Sequence, residues 1–237
     1  MKKFFIGAAI AGGTFVFLVI IVRLTGILQV YRGSTSAMSP AIELNEQFFA
    51  SNLIKPKHYD IIVFKRKTDM YDGDAEPGST ARFIYRLIAV GGEKLEIKNG
   101  LAWVNDKLAD DSTKLKFYYT FSSHKTNEVL AALQLNATNL PENDWVINEP
   151  NTTALLTHPQ FAVANKITPL EKYNEAADAT LYKNDSSKNW TTSNYGPILI
   201  PMGYYFLLGD NRNGARDSRF IGPVNAKDVI GVVLDKK

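Results

Sequence analysis

Short apolar and β-branched runs, separated by turn-forming residues, dominate the hydrophobic pattern beyond residue 40. Such runs, when Pro, Gly, Asn or charged residues bound them, are typical of β-strands. They fall at residues 47–50, 59–64, 83–90, 95–97, 101–104, 197–208 and 229–234. Asn99 and Gly100 separate two of these runs, which predicts a tight hairpin turn. The pattern therefore predicts a mostly β fold, either a barrel or a sandwich.

The N-terminal segment departs from that pattern, because residues 4–22 carry no charge and follow Lys2 and Lys3. A helix of that length would be ~28 Å long, close to the ~30 Å apolar core of a bilayer. The segment has no polar face, which argues against a buried soluble helix. No small-x-small site ends it, which argues against a cleaved signal peptide. We predict a transmembrane anchor at residues 4–22, with residues 1–3 in the cytoplasm because the lysines favour that side.

A second departure lies at residues 110–193, where Asn, Thr, Ser and Lys are frequent. A helical pattern occurs near residues 127–135, and residues 185–188 are typical of a turn. We interpret residues 110–193 as an inserted second domain between two β halves, at residues 23–109 and 194–237.

Composition narrows the possible functions. The hydrophobic content of 45% and charged content of 22% are those of a globular protein. A net charge of +3 is too small to indicate nucleic-acid binding. The chain has no cysteine and only three scattered histidines, so we predict no disulfide, no metal and no cofactor.

The densest polar segment follows the apolar run that ends at Leu208. It includes Asp210, Arg212, Asp217 and Arg219. If these charges are buried they must pair, which predicts an internal network. A solvated loop is the alternative, because charged runs are usually exposed.

The order of residues in this segment resembles the C-terminal signature of the type I signal peptidases, membrane-anchored serine proteases that remove secretory signal peptides. The signature reads Gly209-Asp210-Asn211-Arg212, then Asp217-Ser218-Arg219, then Gly222-Pro223-Val224 and Ile230-Gly231-Val232. Residues 35–40, 60–64 and 85–93 resemble three further family segments in the same order. The resemblance covers most of the chain outside residues 110–193. It implies a signal-peptidase-like β fold with an N-terminal transmembrane helix and an inserted domain.

In that family a Ser hydroxyl is the nucleophile, and a Lys amine made neutral by burial is the base. The resemblance places Ala37 at the nucleophile, Tyr85 at the base and Ala215 at the Ser that orients the base. A methyl group cannot attack a carbonyl, and a phenol with a pKa near ~10 is a poor base at neutral pH. All three positions therefore lack the family's chemistry.

Other site positions keep the family's residue types. Thr35 matches the hydroxyl that helps to bind the oxyanion, and Met38 and Pro40 match the segment that shapes the site. The remaining supporting positions are Arg86, Asp210, Asn211, Arg212, Asp217, Ser218 and Arg219.

The sequence offers few side chains that could replace the family's nucleophile and base. On an extended chain Ser36 would face away from Ala37, and Ser39 would face the same side at a distance of roughly 6.6 Å. That displacement is large for a catalytic group. The candidate bases are expected on the solvated surface; they are His58, Lys65, Lys67 and Lys94.

Three hypotheses follow. The first is an inactive pseudo-peptidase of the protein export pathway that binds a peptide, such as a signal peptide, or a membrane-complex partner. The second is an active signal peptidase I with rearranged groups, or its engineered Ser-to-Ala form. The third is a structural subunit of a membrane secretion complex whose groove is filled by its own side chains, with Tyr85 as the filling residue. All three place the protein in the bacterial inner membrane as a single-pass protein, with most of the chain on the periplasmic side and no nucleic-acid partner.

Overall fold

The computed structural model describes residues 12–17, 20–21, 25–68, 76–140, 144–173, 176–184 and 187–234. The predicted anchor at residues 4–22 lies largely outside these ranges, as do Lys2 and Lys3. Its described residues, 12–17 and 20–21, are helical. Among the described residues, the structure has no helix with the length and hydropathy needed to cross a bilayer.

A seven-stranded antiparallel sheet, the main sheet, carries the candidate site. Its strands are β1 (Gln29–Arg32), β2 (Gln47–Ser51), β3 (Ile61–Lys67), β4 (Thr80–Val90), β13 (Tyr204–Leu208), β14 (Val224–Asn225) and β15 (Val229–Val233). The spatial order is β1-β2-β15-β3-β4-β13-β14. The first and last parts of the chain therefore alternate across one sheet, which brings residues near 37 close to residues near 210.

A second sheet of four strands packs beside the main sheet. Its strands are β5 (Lys94–Lys98), β6 (Leu101–Val104), β7 (Lys107–Leu108) and β12 (Tyr195–Leu199), in the order β12-β5-β6-β7. Successive side chains of β13 point to opposite faces, as a strand requires. Leu207 joins the core of the main sheet, while Phe206 and Leu208 join the core of the second. Strand β13 is therefore buried on both faces, which explains its continuous apolar run.

A third sheet, also of four strands, lies within the predicted insertion. It consists of β8 (Lys116–Ser122), β9 (Trp145–Ile147), β10 (Asn151–Thr157) and β11 (Glu171–Lys172), in the order β11-β8-β10-β9. Helices α1 (Thr126–Ala132) and α2 (His158–Ala164) pack on it, and Phe117, Val129 and Leu156 belong to its separate core. Leu181 and Trp190, in contrast, pack on the core of the second sheet.

The remaining helix, α3 (Ser218–Ile221), directly follows the charged segment. Short 3-10 turns occur at Ser112–Lys114, Ser123–Lys125, Ala137–Asn139 and Ala226–Asp228.

Most predicted strands are present, but the single strand predicted at residues 197–208 is wrong. The chain turns after Leu199, where Gly203 has φ +80 and Tyr204 N–H donates to the Pro201 carbonyl. The result is two strands in different sheets, β12 and β13. The predicted hairpin turn is confirmed, because Asn99 and Gly100 both have positive φ, 51° and 79°. The helix predicted at residues 127–135 is confirmed in a shorter form as α1.

Candidate functional site

Ala37 lies in a series of tight turns that follows β1. Its carbonyl oxygen accepts a hydrogen bond from the Asn211 N–H at 3.1 Å. Its own N–H donates to Thr35 Oγ1 at 3.4 Å. The extended backbone assumed in the sequence analysis is therefore wrong here, because turns such as Ser39 N–H to Ser36 carbonyl, 3.0 Å, bend the segment.

The turns bury the two residues after Ala37. Met38 is 1% exposed and packs in the core of the main sheet. Ser39 is fully buried, and its hydroxyl has no hydrogen-bond partner among the described residues. Pro40 is half-buried beside it. The Ser39 hydroxyl is therefore shielded from solvent.

Tyr85 lies on β4 and is 4% exposed. Its phenol donates a hydrogen bond to the carbonyl oxygen of Arg216 at 3.2 Å, and its ring lies 6.0 Å from that of Phe64. Ala215 immediately precedes this acceptor and is also buried. The phenol at the position that the resemblance assigns to the base therefore acts as a hydrogen-bond donor to Arg216.

Gly209 lies between Ala37 and Ala215. A Cβ atom on Gly209 would lie 2.3 Å from the Cβ of Ala215 and 2.6 Å from the carbonyl oxygen of Ala37. Only glycine fits between them, since real Cβ contacts are essentially never under 3.0 Å. The structure thus brings Ala37, Tyr85 and Ala215 into one place.

The predicted charge network is buried, and the solvated alternative is wrong. Arg86 and Asp210 form two hydrogen bonds, Nε to Oδ1 at 2.8 Å and Nη2 to Oδ2 at 2.6 Å. Asp217 and Arg219 are likewise paired twice, at 2.8 Å each. Asp217 Oδ2 also accepts the Gly209 N–H at 3.0 Å. These bonds hold in place the loop that contains Asn211, whose N–H donates to the Ala37 carbonyl.

The third buried ion pair includes Asp110, which the sequence analysis does not identify as a site residue. Arg212 is paired with Asp110, with Nη2 to Oδ1 at 2.6 Å, and it also donates to the carbonyl oxygens of Gly209 and Gly100. The sequence analysis assigns no role to Asp110, the first residue of the predicted insertion. No local pattern marks it, because 102 positions separate it from Arg212.

The other supporting residues bind the backbone. Ser218 Oγ accepts the Leu207 N–H at 3.0 Å, and Asn211 Nδ2 donates to the Ser36 carbonyl at 3.3 Å. Among the described residues, no group of three or more His, Asp or Glu is arranged to hold a metal ion.

A cavity of about 310 Å³ opens directly beside Ala37 and Tyr85. It is lined by Tyr31, Arg32, Ser34, Thr35, Ala37, Phe48, Val63, Ala81, Arg82, Phe83, Ile84 and Tyr85. We call it the Ala37 cavity. The cavity therefore stays open although the Tyr85 side chain lines it.

The candidate replacement bases lie away from this cavity. His58 is hydrogen-bonded to Glu93 at 2.9 Å, and Lys94 is paired with Asp106 at 2.6 Å. Lys65 and Lys67 are exposed on β3, and neither lines the cavity.

One edge of β4 is open beside the cavity. Residues 80–86 pair with β3, whereas β13 pairs only with residues 86–90 of β4. No strand in the described part of the chain pairs with the other edge of residues 80–85. This edge presents unpaired backbone groups to any extended chain that enters the cavity.

The profile of one known protein family matches most of the chain. The profile of the family described as "Signal peptidase, peptidase S26" matches residues 6–234. The chain belongs to this family. This match confirms the family that was recognised from the sequence.

Curated relatives are distant. Signal peptidase I of Aquifex aeolicus is 28% identical over 225 residues, covering 86% of this chain and 73% of the relative. Signal peptidase I of Buchnera aphidicola subsp. Baizongia pistaciae is 23% identical over 203 residues, covering 78% and 58%. That of Rickettsia typhi is 26% identical over 178 residues, covering 75% and 50%. The chain thus spans little more than half the length of two of these relatives.

Among solved structures, a signal peptidase I from Enterococcus faecalis V583 is 21% identical. The match covers 76% of this chain and 97% of that one, with a TM-score of 0.34.

Proposed function

We propose that this chain is a signal peptidase homologue that does not cleave peptides and binds an extended peptide in the Ala37 cavity. One observation carries the proposal. Ala37 and Tyr85 line an open cavity, Ala215 lies beside them, and the Tyr85 phenol donates its hydrogen bond to Arg216. The position that the resemblance assigns to the general base therefore holds a hydrogen-bond donor, the Tyr85 phenol, instead of a proton acceptor.

The chemistry of the cavity lining supports the absence of cleavage. Ser34 and Thr35 supply hydroxyl groups, but a hydroxyl needs an adjacent base to attack a peptide bond. Among the described residues, no Lys, His, Asp or Glu lines the cavity. The charged groups of this described lining belong to Arg32 and Arg82, and arginine does not lose its proton in proteins.

The open edge of β4 supports peptide binding. An extended peptide that pairs with residues 80–85 would gain main-chain hydrogen bonds, with its side chains alternating between the cavity and solvent. This mode of binding needs neither a nucleophile nor a base. It is compatible with the loss of both, and with the cavity that remains.

We further propose that residues 4–22 anchor the protein in the bacterial inner membrane, with the bulk of the chain outside the cytoplasm. The uncharged span and the two preceding lysines support this orientation. The bound peptide would then come from exported proteins or from a partner subunit of a secretion complex.

The test uses the full-length protein in a neutral detergent and a synthetic signal peptide. Fluorescence anisotropy measures binding, and mass spectrometry of the same mixture measures cleavage. We expect binding without cleavage. Ala81→Trp, which fills the cavity, should weaken binding at least about ten-fold, roughly the loss of one well-placed apolar contact.

Lys65→Trp is the matched control, because Lys65 is exposed on the neighbouring strand and does not line the cavity. It should leave binding unchanged. Cleavage by the unmodified chain would favour an active signal peptidase, and equal binding by the Ala81 and Lys65 variants would remove the cavity from the proposal.

A further inference from the structure

Two unpaired guanidinium groups set the charge of the Ala37 cavity. Arg32 and Arg82 both line it, and both are exposed. Neither makes an ion pair or hydrogen bond with any other described residue. The other described side chains of the lining are uncharged. The described lining of the cavity therefore carries two positive charges and no negative charge.

The fold holds the two arginines together. Arg32 ends β1, and Arg82 lies near the start of β4. Three strands separate β1 from β4 in the main sheet, so a flat sheet would place them about 19 Å apart. Both arginines nevertheless border one cavity of about 310 Å³, so the fold places the two charges at the same site.

The surroundings of the arginines are apolar. Phe48, Val63, Phe83 and Ile84 form the walls of the cavity. An ion pair formed beside apolar walls is less screened by water than one on an open surface, so it contributes more to binding. The planar guanidinium group also matches the two oxygens of a carboxylate.

We infer that the peptide held in this cavity carries a carboxylate, either of an acidic side chain or of its own C-terminus, which pairs with Arg32 and Arg82. This inference rests on the proposed function and names the class of peptide. The unpaired edge of β4 would bind the backbone, and the two arginines would select for the negative charge. Peptides with a Lys near the same position would be rejected by like-charge repulsion.

The test is calorimetric titration of the full-length protein in neutral detergent with four synthetic hexapeptides. Three are acetylated and amidated and read Val-Thr-Ala-X-Ala-Ala, with Asp, Asn or Lys at X. The fourth has Asn at X and a free C-terminal carboxylate. The Asp peptide should bind about ten-fold tighter than the Asn peptide, as one additional charge-assisted hydrogen bond would give. A gain for the fourth peptide would assign the site to a chain terminus, and both results support the inference.

The arginines are tested by Arg32→Gln and Arg82→Gln, each of which should reduce the discrimination between Asp and Asn peptides. Lys65→Gln is the matched control: Lys65 lies directly opposite Arg82 on β3, carries the same charge and does not line the cavity. It should leave the discrimination intact. Unchanged thermal unfolding would show that each variant is folded, which is expected for exposed side chains.

The possible failures are distinguishable. Equal affinity for all four peptides would overturn the inference and leave peptide binding standing. Absence of binding by all four peptides would overturn the proposed function and the inference together. Arginine-dependent binding of phosphatidylglycerol vesicles, without discrimination among the peptides, would assign the two arginines to lipid headgroups and also overturn the inference.

Discussion

The Tyr85 phenol donates a hydrogen bond to the carbonyl oxygen of Arg216 at 3.2 Å, although 131 positions separate the two residues. The resemblance assigns Tyr85 to the family's base position and Ala215, which precedes Arg216, to the position of the base-orienting Ser. A phenol near neutral pH is protonated, and this bond engages its proton with a backbone acceptor. The contact therefore ties β4 to the loop that contains Arg216.

The first prediction concerns the buried pair of Asp217 and Arg219, whose side chains are 0% and 1% exposed. Asp217→Ala leaves Arg219 buried without its carboxylate and should lower the free energy of unfolding by about 3–5 kcal/mol. Urea unfolding followed by circular dichroism measures the change. Glu128→Ala is the control, because its ion pair with Lys125 is exposed and is expected to contribute less than about 1 kcal/mol. Equal midpoints for the two variants would contradict the buried network.

The second prediction concerns the contact between the hairpin turn and the third sheet. A Cβ atom on Gly100 would lie 2.6 Å from the ring of Phe117, and its φ is +79. Gly78 has a similar φ of +81, but nothing lies within 4 Å of its Cβ position. Gly100→Ala and Gly78→Ala should therefore share the backbone strain, of about 1–2 kcal/mol. Gly100→Ala alone should add about 1–3 kcal/mol of overpacking. Equal unfolding free energies would show that Phe117 moves aside without cost.

The third prediction follows from Asp144, whose Oδ2 lies 3.4 Å from Lys116 Nζ. Burial raises the pKa of Asp144 above its ordinary value, and Lys116 offsets this only in part. The folded state therefore binds the proton more tightly than the unfolded state, so this carboxyl lowers stability as pH rises through its raised pKa.

Asp144→Asn removes that titration. Relative to the parent, the variant should become more stable as pH rises from about 4 towards 7, the range above an ordinary Asp pKa. Urea unfolding at several pH values tests this, with Glu128→Gln on the exposed surface as the control. A difference that is constant with pH, or that grows in the opposite direction, would show that burial does not dominate at Asp144.

The sequence predicted the elements that depend on local order. Alternation and turn residues located β2–β6, β13 and β15, and the density of charge after Leu208 indicated a buried network. It did not reveal β8 and β10, because frequent Thr, Ser and Lys around them obscure the apolar alternation. It also merged β12 and β13, since a continuous apolar run contains no information about which sheet each half joins.

The candidate site, like the fold, could be predicted only in part from the sequence. The sequence identified Ala37, Tyr85 and Ala215 through a resemblance, and the fold brings them together. Asp110 and the pair of Arg32 and Arg82 were not identified. Their roles depend on which distant segments meet in the folded chain, and no local pattern records that.

The fourth prediction concerns topology. If residues 4–22 span the membrane with Lys2 and Lys3 in the cytoplasm, protease added to intact spheroplasts should digest the domain that follows. Immunoblotting with an antibody to that domain measures its loss, and a cytoplasmic protein monitored in the same samples controls for lysis. Protection of the domain until the spheroplasts are lysed would refute this orientation.

The central claim is that three linked positions, Ala37, Tyr85 and Ala215, make this site inactive. The most direct measurement is cleavage of a signal-peptide substrate by four full-length proteins: the parent, Ala37→Ser, Ala37→Ser with Tyr85→Lys, and the latter with Ala215→Ser. Groups that act as a unit are strongly non-additive, so the account predicts no cleavage by the parent or by Ala37→Ser. It predicts that cleavage first appears when the nucleophile and the base are restored together. Cleavage by the parent, or by Ala37→Ser alone, would reveal another base and contradict the account.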